Sequence, residues 1–304
     1  MIVTLTHHQL RSIRRQRTFV MFLGSFVLIT TMAALLGYSS SRTIVRVYDE
    51  ATKLLAETGQ PAPPNPFDVT PSLALLSNMT IYVPFIGAIL AVVLGHSTVI
   101  DDKASGIGRL IFSRPLSRRT YLASKVLAVA LALAVVMVVS WAISTVAVLL
   151  INGGISPGDV GRLVTYFALS WAYLFVFVLL GIVTVLVTRQ RATALLTALG
   201  VWVAITFVLP QVTSGIRPVA SLNPLTAPAP AVQSFFQMTS HLRPLSLSEE
   251  YKSASATILR TGAAESLGQT LTHTAPVLVA AVALGALCLG LIHRHDYSRS
   301  GSDE

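Results

Sequence analysis

The stretch TFVMFLGSFVLITTMAALLGY (residues 18–38) contains no charged side chain. A helix rises about 1.5 Å per residue, so this stretch can cross about 30 Å of hydrocarbon. Five further apolar stretches of comparable length follow, at residues 78–100, 126–151, 163–187, 194–212 and 275–293. The sequence therefore predicts an all-α membrane protein with about six transmembrane helices, built as a single domain over residues 1–304.

The composition supports residence in a membrane. Hydrophobic residues make up 53% of the chain and charged residues only 12%, whereas a soluble domain averages about 25% charged residues. The net charge of +9 would suggest nucleic acid in a soluble protein. Here the basic residues lie in short segments between apolar stretches, and no basic stripe with interleaved aromatic residues occurs. Nucleic acid is therefore not predicted as a partner.

The basic side chains collect on one side of the predicted membrane. Fourteen of the 22 Lys and Arg residues lie in the amino-terminal segment, residues 101–125, the turn before the fifth stretch and the carboxy-terminal tail. Because cytoplasmic loops carry an excess of Lys and Arg, both termini are predicted to be cytoplasmic. The first stretch is longer than a signal-peptide core and is predicted to be retained. The expected location is the plasma or inner membrane of the cell, as a multi-pass protein.

Two segments on the predicted outer side are too long for simple turns. Residues 39–77 have apolar positions at near-helical spacing and then break at the proline-rich PAPPNP. Residues 213–274 contain a second proline-rich stretch, followed by two candidate helix caps, Ser246 and Ser248, ahead of two glutamates. Short helices on the outer surface are therefore predicted before the second and sixth spans. They would form either a docking platform for an outer-side protein or a lid on the bundle.

The predicted spans offer little polar chemistry, since they contain no Asp, Glu, Lys or Arg. Ion-coupled carriers usually keep carboxylates at mid-depth, and an intramembrane hydrolase needs a nucleophile with a base. The sequence also lacks the GxxxxGK[ST], HExxH and CxxC patterns. We therefore predict no enzyme activity and no cofactor or metal site in this chain. His96 is compatible with a relay or ligand role and with simple helix packing.

The segment DDKASGIGRLIFSRPLSRRTYLASK (residues 101–125) is the most informative part of the sequence. Its pattern places Asp101 and Asp102 at a helix amino terminus, where the helix dipole favours carboxylates. Three apolar residues at positions i, i+3 and i+4 then share one face. Pro115 ends this helix, and Ser117 can cap the next one. The pattern predicts an amphipathic elbow helix at the cytoplasmic surface between the second and third spans.

This segment resembles the corresponding loop of type 2 ABC transporter permeases. The shared features are an acidic residue, a small residue followed by glycine, an apolar stretch, a Pro-apolar-Ser-Arg sequence and a downstream lysine. In this chain they are Asp102, Ser105-Gly106, residues 110–112, residues 115–118 and Lys125. The amino-terminal LTHHQLRSIRRQRTFV is similar to that family's cytoplasmic helix before the first span. Within the family, the chain looks most like the permease of the nitrous oxide reductase maturation system and its relatives.

The resemblance implies a permease subunit driven by a separate cytoplasmic ATP-binding cassette subunit, which would hold ATP and Mg. A second permease copy or a paralogue would complete the complex within membrane lipid. The positions expected to couple the two subunits are Asp101, Asp102, Gly106, Arg109 and Arg118. A pathway without fixed charge suits export of a lipid, amphipathic or drug-like substrate, or transmission of motion to an outer-side protein. The alternative is a non-transporting membrane anchor or scaffold of a redox or secretion complex.

Overall fold

The computed structural model describes residues 2–61, 72–104, 117–188, 190–215, 234–261 and 267–292, and this part of the chain is helical without strands. Six of its helices are long and apolar enough to cross a membrane. In chain order, spans 1 to 6 are Arg17–Glu57, Met79–Ile100, Arg118–Asn152, Pro157–Val187, Arg191–Ser214 and Thr270–Leu291. The predicted all-α class with six spans is therefore confirmed.

Several shorter or interrupted elements complete the bundle. An amino-terminal helix, Ile2–Arg15, precedes span 1. Span 2 is built from helix Met79–Tyr82, a π-turn at Val83–Gly87 and helix Ala88–Ala104. Span 5 is built from helix Arg191–Val203, a π-turn at Ala204–Val208 and helix Leu209–Ser214. The remaining elements are 3₁₀ turns at Ser72–Leu76 and Ser240–Leu245 and helices Ser234–Thr239, Leu247–Ile258 and Leu267–Leu291, the last of which contains span 6.

Span 4 is the central helix. The hydroxyl of Ser156 accepts a hydrogen bond from the backbone N–H of Asp159 at 3.1 Å, and Pro157 occupies the first helical position, so the start of span 4 is well defined. In the most apolar stretch of span 4, 78% of the residues are buried inside the bundle. In the corresponding stretch of span 6 the share is 11%. Span 4 packs on spans 2 and 6, while span 6 leaves a broad apolar surface for lipid or another chain.

Spans 2 and 4 cross at two glycines with their backbones in contact. A Cβ atom added to Gly95 would lie 2.1 Å from the carbonyl oxygen of Val178, and one added to Gly181 would lie 2.4 Å from that of Val92. Only residues without a side chain allow this approach, which is the packing mode that small residues give membrane helices. This crossing holds span 2 against span 4 close to the end of span 2 at which the segment 101–125 begins.

We call the two ends of the bundle the loop end and the opposite end. At the loop end, residues 105–116 join spans 2 and 3, and residues 188–190 join spans 4 and 5. At the opposite end, residues 153–156 join spans 3 and 4. The amino-terminal helix packs against span 3 and buries Thr6 and Ile13.

Span 1 is longer than the sequence predicted, because residues 39–57, expected to form a separate short helix, continue its helix instead. A short 3₁₀ helix does precede span 2, at Ser72–Leu76. The helix of span 1 continues unbroken to Glu57, a length of about 60 Å, or about twice the hydrocarbon thickness. No proline interrupts it, and the hydroxyl of Thr52 donates to the carbonyl of Tyr48 at 2.8 Å within the extension. It ends where Gly59 adopts a φ of 70°. The PAPPNP break lies in residues 61–66, which the structure describes only at residue 61.

Candidate functional site

The segment predicted to couple to an ATPase is described only where it meets spans 2 and 3. The helix of span 2 continues to Ala104, so Asp101 and Asp102 lie in its last turn. Their predicted place at a helix amino terminus is therefore wrong, and the helix dipole does not favour carboxylates where they stand. Of these two residues only the backbone is described, and Gly106 and Arg109 lie outside the described residues. Their coupling role stays a prediction.

The part of the segment that enters span 3 is well defined. The helix of span 3 begins at Arg118, which is half-buried. The hydroxyl of Ser117 accepts a hydrogen bond from the backbone N–H of Thr120 at 3.1 Å, which confirms the predicted cap. Span 3 therefore starts earlier than the apolar stretch, and this brings Lys125 inside the helix.

Lys125 connects spans 2 and 3 at the loop end. Its side chain is 2% exposed, and its Nζ donates to the carbonyl of Thr98. The ammonium also lies 5.3 Å from the centre of the Tyr121 ring. Burying a lysine costs free energy unless its donors are satisfied. The contact with Thr98 joins spans 2 and 3, the two helices that frame the segment 101–125. The sequence marked Lys125 by resemblance, but not as a candidate coupling residue.

The second region of interest is the helix Leu247–Ile258, which we call the inserted helix. The prediction of a short helix before span 6 is confirmed, but its predicted place on the surface is wrong. The inserted helix packs against spans 4 and 6, and Tyr251 and Ala254 on it are fully buried. Arg162 of span 4 donates to the carbonyl of Ile258 at 3.2 Å, which satisfies a backbone group at the end of the inserted helix.

A cluster of tyrosines anchors the inserted helix in the bundle. The hydroxyls of Tyr251 and Ser170 are 2.8 Å apart, and the Tyr251 hydroxyl donates to that of Tyr166 at 3.2 Å. The rings of Tyr251 and Tyr173 have their centres 4.6 Å apart. Burial raises the pKa of Tyr251 to about 12, so its hydroxyl remains a neutral hydrogen-bonding group.

Two buried carboxylates follow the start of the inserted helix. Glu249 is 4% and Glu250 5% exposed. The hydroxyl of Ser214 donates to Oε1 of Glu249 at 2.6 Å, and Nε of Arg243 lies 3.1 Å from the same oxygen. Nδ1 of His273 lies 2.5 Å from Oε2 of Glu250. Burial raises the pKa of the Glu249 carboxyl, while the Ser214 hydrogen bond and the Arg243 charge oppose this rise.

The sequence did not predict this cluster because its members come from separate segments. Ser214 ends span 5, Arg243 belongs to a 3₁₀ turn, and His273 begins span 6. The two predicted caps do not cap the helix with their side chains. Ser246 occupies the N-cap position without a side-chain capping hydrogen bond, and the hydroxyl of Ser248 donates to the carbonyl of Ile205 at 3.1 Å. The adjacent Glu249 and Glu250 were the only feature of the local sequence that pointed to this cluster.

Lys252 should make stability depend on pH. Burial lowers its pKa to about 8, although the charge of Glu249 opposes the shift. Since the folded pKa lies below the unfolded value, the cost of burying the charge is fully present below about pH 8 and disappears as pH rises toward 10. We expect Lys252→Met to raise the free energy of unfolding by about 1 kcal/mol at pH 7.

Thermal unfolding of wild type and Lys252→Met in detergent, from pH 7 to pH 10, measures this effect. The advantage of the variant should shrink with rising pH. The exposed Lys53→Met serves as the control and should show no such trend. An advantage of Lys252→Met that grows with pH would contradict the assignment.

The described residues contain no group of three or more His, Cys, Asp or Glu side chains suited to a metal ion. His96 is half-buried, and its backbone nitrogen borders the glycine crossing, where a Cβ on Gly181 would lie 2.9 Å from it. The backbone of His96 therefore takes part in the helix contact, and the role of its side chain stays a prediction.

Comparison with known proteins assigns the family. No curated protein matches the chain. The model of the family described as ABC-2 family transporter protein matches residues 3–297, which include all six spans, the segment 101–125 and the inserted helix. The match covers nearly the whole chain, and the six-span helical bundle is consistent with it. The chain therefore belongs to the ABC-2 family of transporter proteins, as a multi-pass permease subunit of an ABC transporter.

Proposed function

We propose that this permease exports an amphipathic, lipid-like or drug-like substrate, driven by a separate ATP-binding cassette subunit at the loop end. The family match over residues 3–297 carries the proposal. The charge distribution supports a cytoplasmic loop end, because this end holds the connections with the most Lys and Arg and cytoplasmic loops are enriched in these residues. The chain contains no GxxxxGK[ST] sequence for binding nucleotide phosphates. We therefore assign ATP and Mg to the partner.

The coupling step would begin in the segment 101–125. Movement of the bound ATPase would shift this segment, and the Lys125–Thr98 contact would pass the shift to spans 2 and 3 together. Span 4 packs against span 2 at the glycine crossing and would follow as a rigid body. The apolar surfaces of spans 1, 5 and 6 would meet lipid and a second permease subunit.

Co-expression with a candidate ATP-binding cassette subunit from the same genome, followed by co-purification, tests the proposal. The charge reversal Asp102→Lys/Arg109→Glu should reduce the recovered ATPase at least about tenfold, a loss of about 1.4 kcal/mol in binding. The control Glu57→Lys/Arg46→Glu makes the same changes of charge at exposed positions of span 1 and should bind normally. If wild type retains no ATPase, the transport proposal fails and the role of a membrane scaffold takes its place.

Transmission of motion to an outer-side protein is a second candidate function. The observation in its favour is span 1, whose helix of about 60 Å extends well beyond a bilayer. Its extension exposes Val47 and Leu54, together with charged residues, as a surface that a partner could contact. ATP-dependent uptake into inverted vesicles would favour export, whereas ATPase activity without transport of any amphiphile would favour transmission of motion.

A further inference from the structure

Glu249 presents an oxygen without a hydrogen-bond partner in a buried position. Its side chain is 4% exposed, and Oε2 accepts no hydrogen bond from the described residues. The hydroxyl of Thr213 lies close enough to favour the ionised carboxyl, but it donates to the carbonyl of Leu209 at 2.8 Å. Ser246, three residues before Glu249, is also fully buried. Its hydroxyl likewise has no partner within the described part of the chain. Such buried groups cost free energy unless a bound molecule satisfies them.

The principal counter-charge of the two carboxylates comes from an accessible side chain. Arg243 is 43% exposed, and its Nε lies 3.1 Å from Glu249 and 3.8 Å from Glu250. It belongs to a 3₁₀ turn of six residues that contains Pro244 and ends directly before the inserted helix. The Nε atom is itself buried and forms no hydrogen bond with the described residues, so its contact with the carboxylates rests on opposite charge. A substrate cation at the same place would supply that charge and can therefore replace Arg243.

Two further titratable side chains near the carboxylates belong to the helices of the bundle. His273 contacts Glu250 from span 6, and Lys252 follows on the inserted helix. Tyr251 lies on the same helix and continues the site into the bundle through its contacts with Tyr166 and Tyr173. Tyrosine faces attract cations and also contact apolar groups. The inserted helix thus carries two acidic side chains and, next to them in sequence, an aromatic residue that packs into the bundle.

We propose that Glu249 and Glu250 bind the cationic head group of an amphipathic substrate, and that Arg243 occupies this position in the absence of substrate. The apolar part of the substrate would lie against the inserted helix and spans 4 and 6. This inference rests on the proposed export function and names its substrate class as cationic amphiphiles. An anionic head group would face two carboxylates, and a neutral one would leave the buried charge of Glu249 uncompensated.

Binding of tetraphenylphosphonium to the purified full chain in phosphatidylcholine nanodiscs tests the proposal. Equilibrium dialysis against empty nanodiscs removes the contribution of lipid. Tetraphenylborate has nearly the same shape with the opposite charge and provides the matched probe. We expect saturable binding of the phosphonium ion and none of the borate. Glu249→Gln and Glu250→Gln should each weaken phosphonium binding at least about tenfold, whereas the exposed control Glu57→Gln should not change it.

Arg243→Ala gives the sharpest test, because removal of a competing side chain should tighten phosphonium binding several-fold. Weaker binding by this variant would overturn the replacement of Arg243 by substrate. Equal binding of both ions, or glutamine variants that remain folded and bind like wild type, would overturn the site itself. None of these measurements involves an ATPase. A chain that co-purifies with its ATPase but fails to bind the phosphonium ion would therefore refute the substrate class and leave the transport function standing.

Discussion

Gly95→Ala should destabilise the protein by about 3 kcal/mol or more, at the upper end of the cost of overpacking a core. The added Cβ would lie 2.1 Å from the carbonyl oxygen and 2.8 Å from the carbonyl carbon of Val178. Both are backbone atoms of a buried helix and cannot rotate away. Spans 2 and 4 would have to separate along their whole crossing, which would also disturb the contact at Gly181. Thermal unfolding in detergent, followed by size-exclusion chromatography, measures the loss.

Gly24→Ala is the matched control for this prediction. Gly24 lies in the helix of span 1, and a Cβ there would meet no atom within 4 Å. Alanine is the better helix former by about 1 kcal/mol, so this variant should be at least as stable as wild type. Equal melting temperatures for Gly95→Ala and Gly24→Ala would contradict the backbone contact between spans 2 and 4.

The sequence predicted what depends on the length and composition of single segments. Six apolar stretches gave six spans because hydrocarbon thickness imposes a minimum length on each crossing helix. The cap at Ser117 was also predicted, since capping involves residues only three positions apart. The limit of this reasoning appears in span 1. Hydrophobicity marked the part within lipid, but the helix itself continues to Glu57 because nothing in the sequence breaks it earlier.

Features that depend on distant residues were not predicted. The inserted helix contains two glutamates and a lysine and therefore resembles a surface helix when taken alone. Its burial becomes possible only because Ser214, Arg243 and His273 supply partners for the carboxylates. Lys125 is a similar case, since its partner, the carbonyl of Thr98, lies on another span. The narrower likeness to the nitrous oxide reductase maturation permease and the roles of Asp102, Gly106 and Arg109 stay predictions.

Tyr251→Ala should be the most damaging single change in the inserted helix, with an expected loss of about 3–5 kcal/mol. The ring is fully buried, and its truncation removes contacts with Tyr166 and Tyr173 and leaves a cavity. The same change at Tyr38, which is 40% exposed on span 1, should cost about 1 kcal/mol or less despite its contact with Arg42. Chemical unfolding in detergent compares the two, and similar losses would show that the inserted helix is not part of the core.

Tyr251→Phe separates the ring from its hydroxyl. It removes the hydrogen bonds to Ser170 and Tyr166 but fills the same space, so the expected loss is about 1–2 kcal/mol. Because the aromatic ring remains in the helix that carries both glutamates, this variant should still bind tetraphenylphosphonium with nearly the affinity of wild type. Tyr251→Ala should lose both stability and binding. If Tyr251→Phe also lost binding while remaining folded, the hydroxyl network rather than the aromatic surface would be the part of the tyrosine cluster that the cation requires.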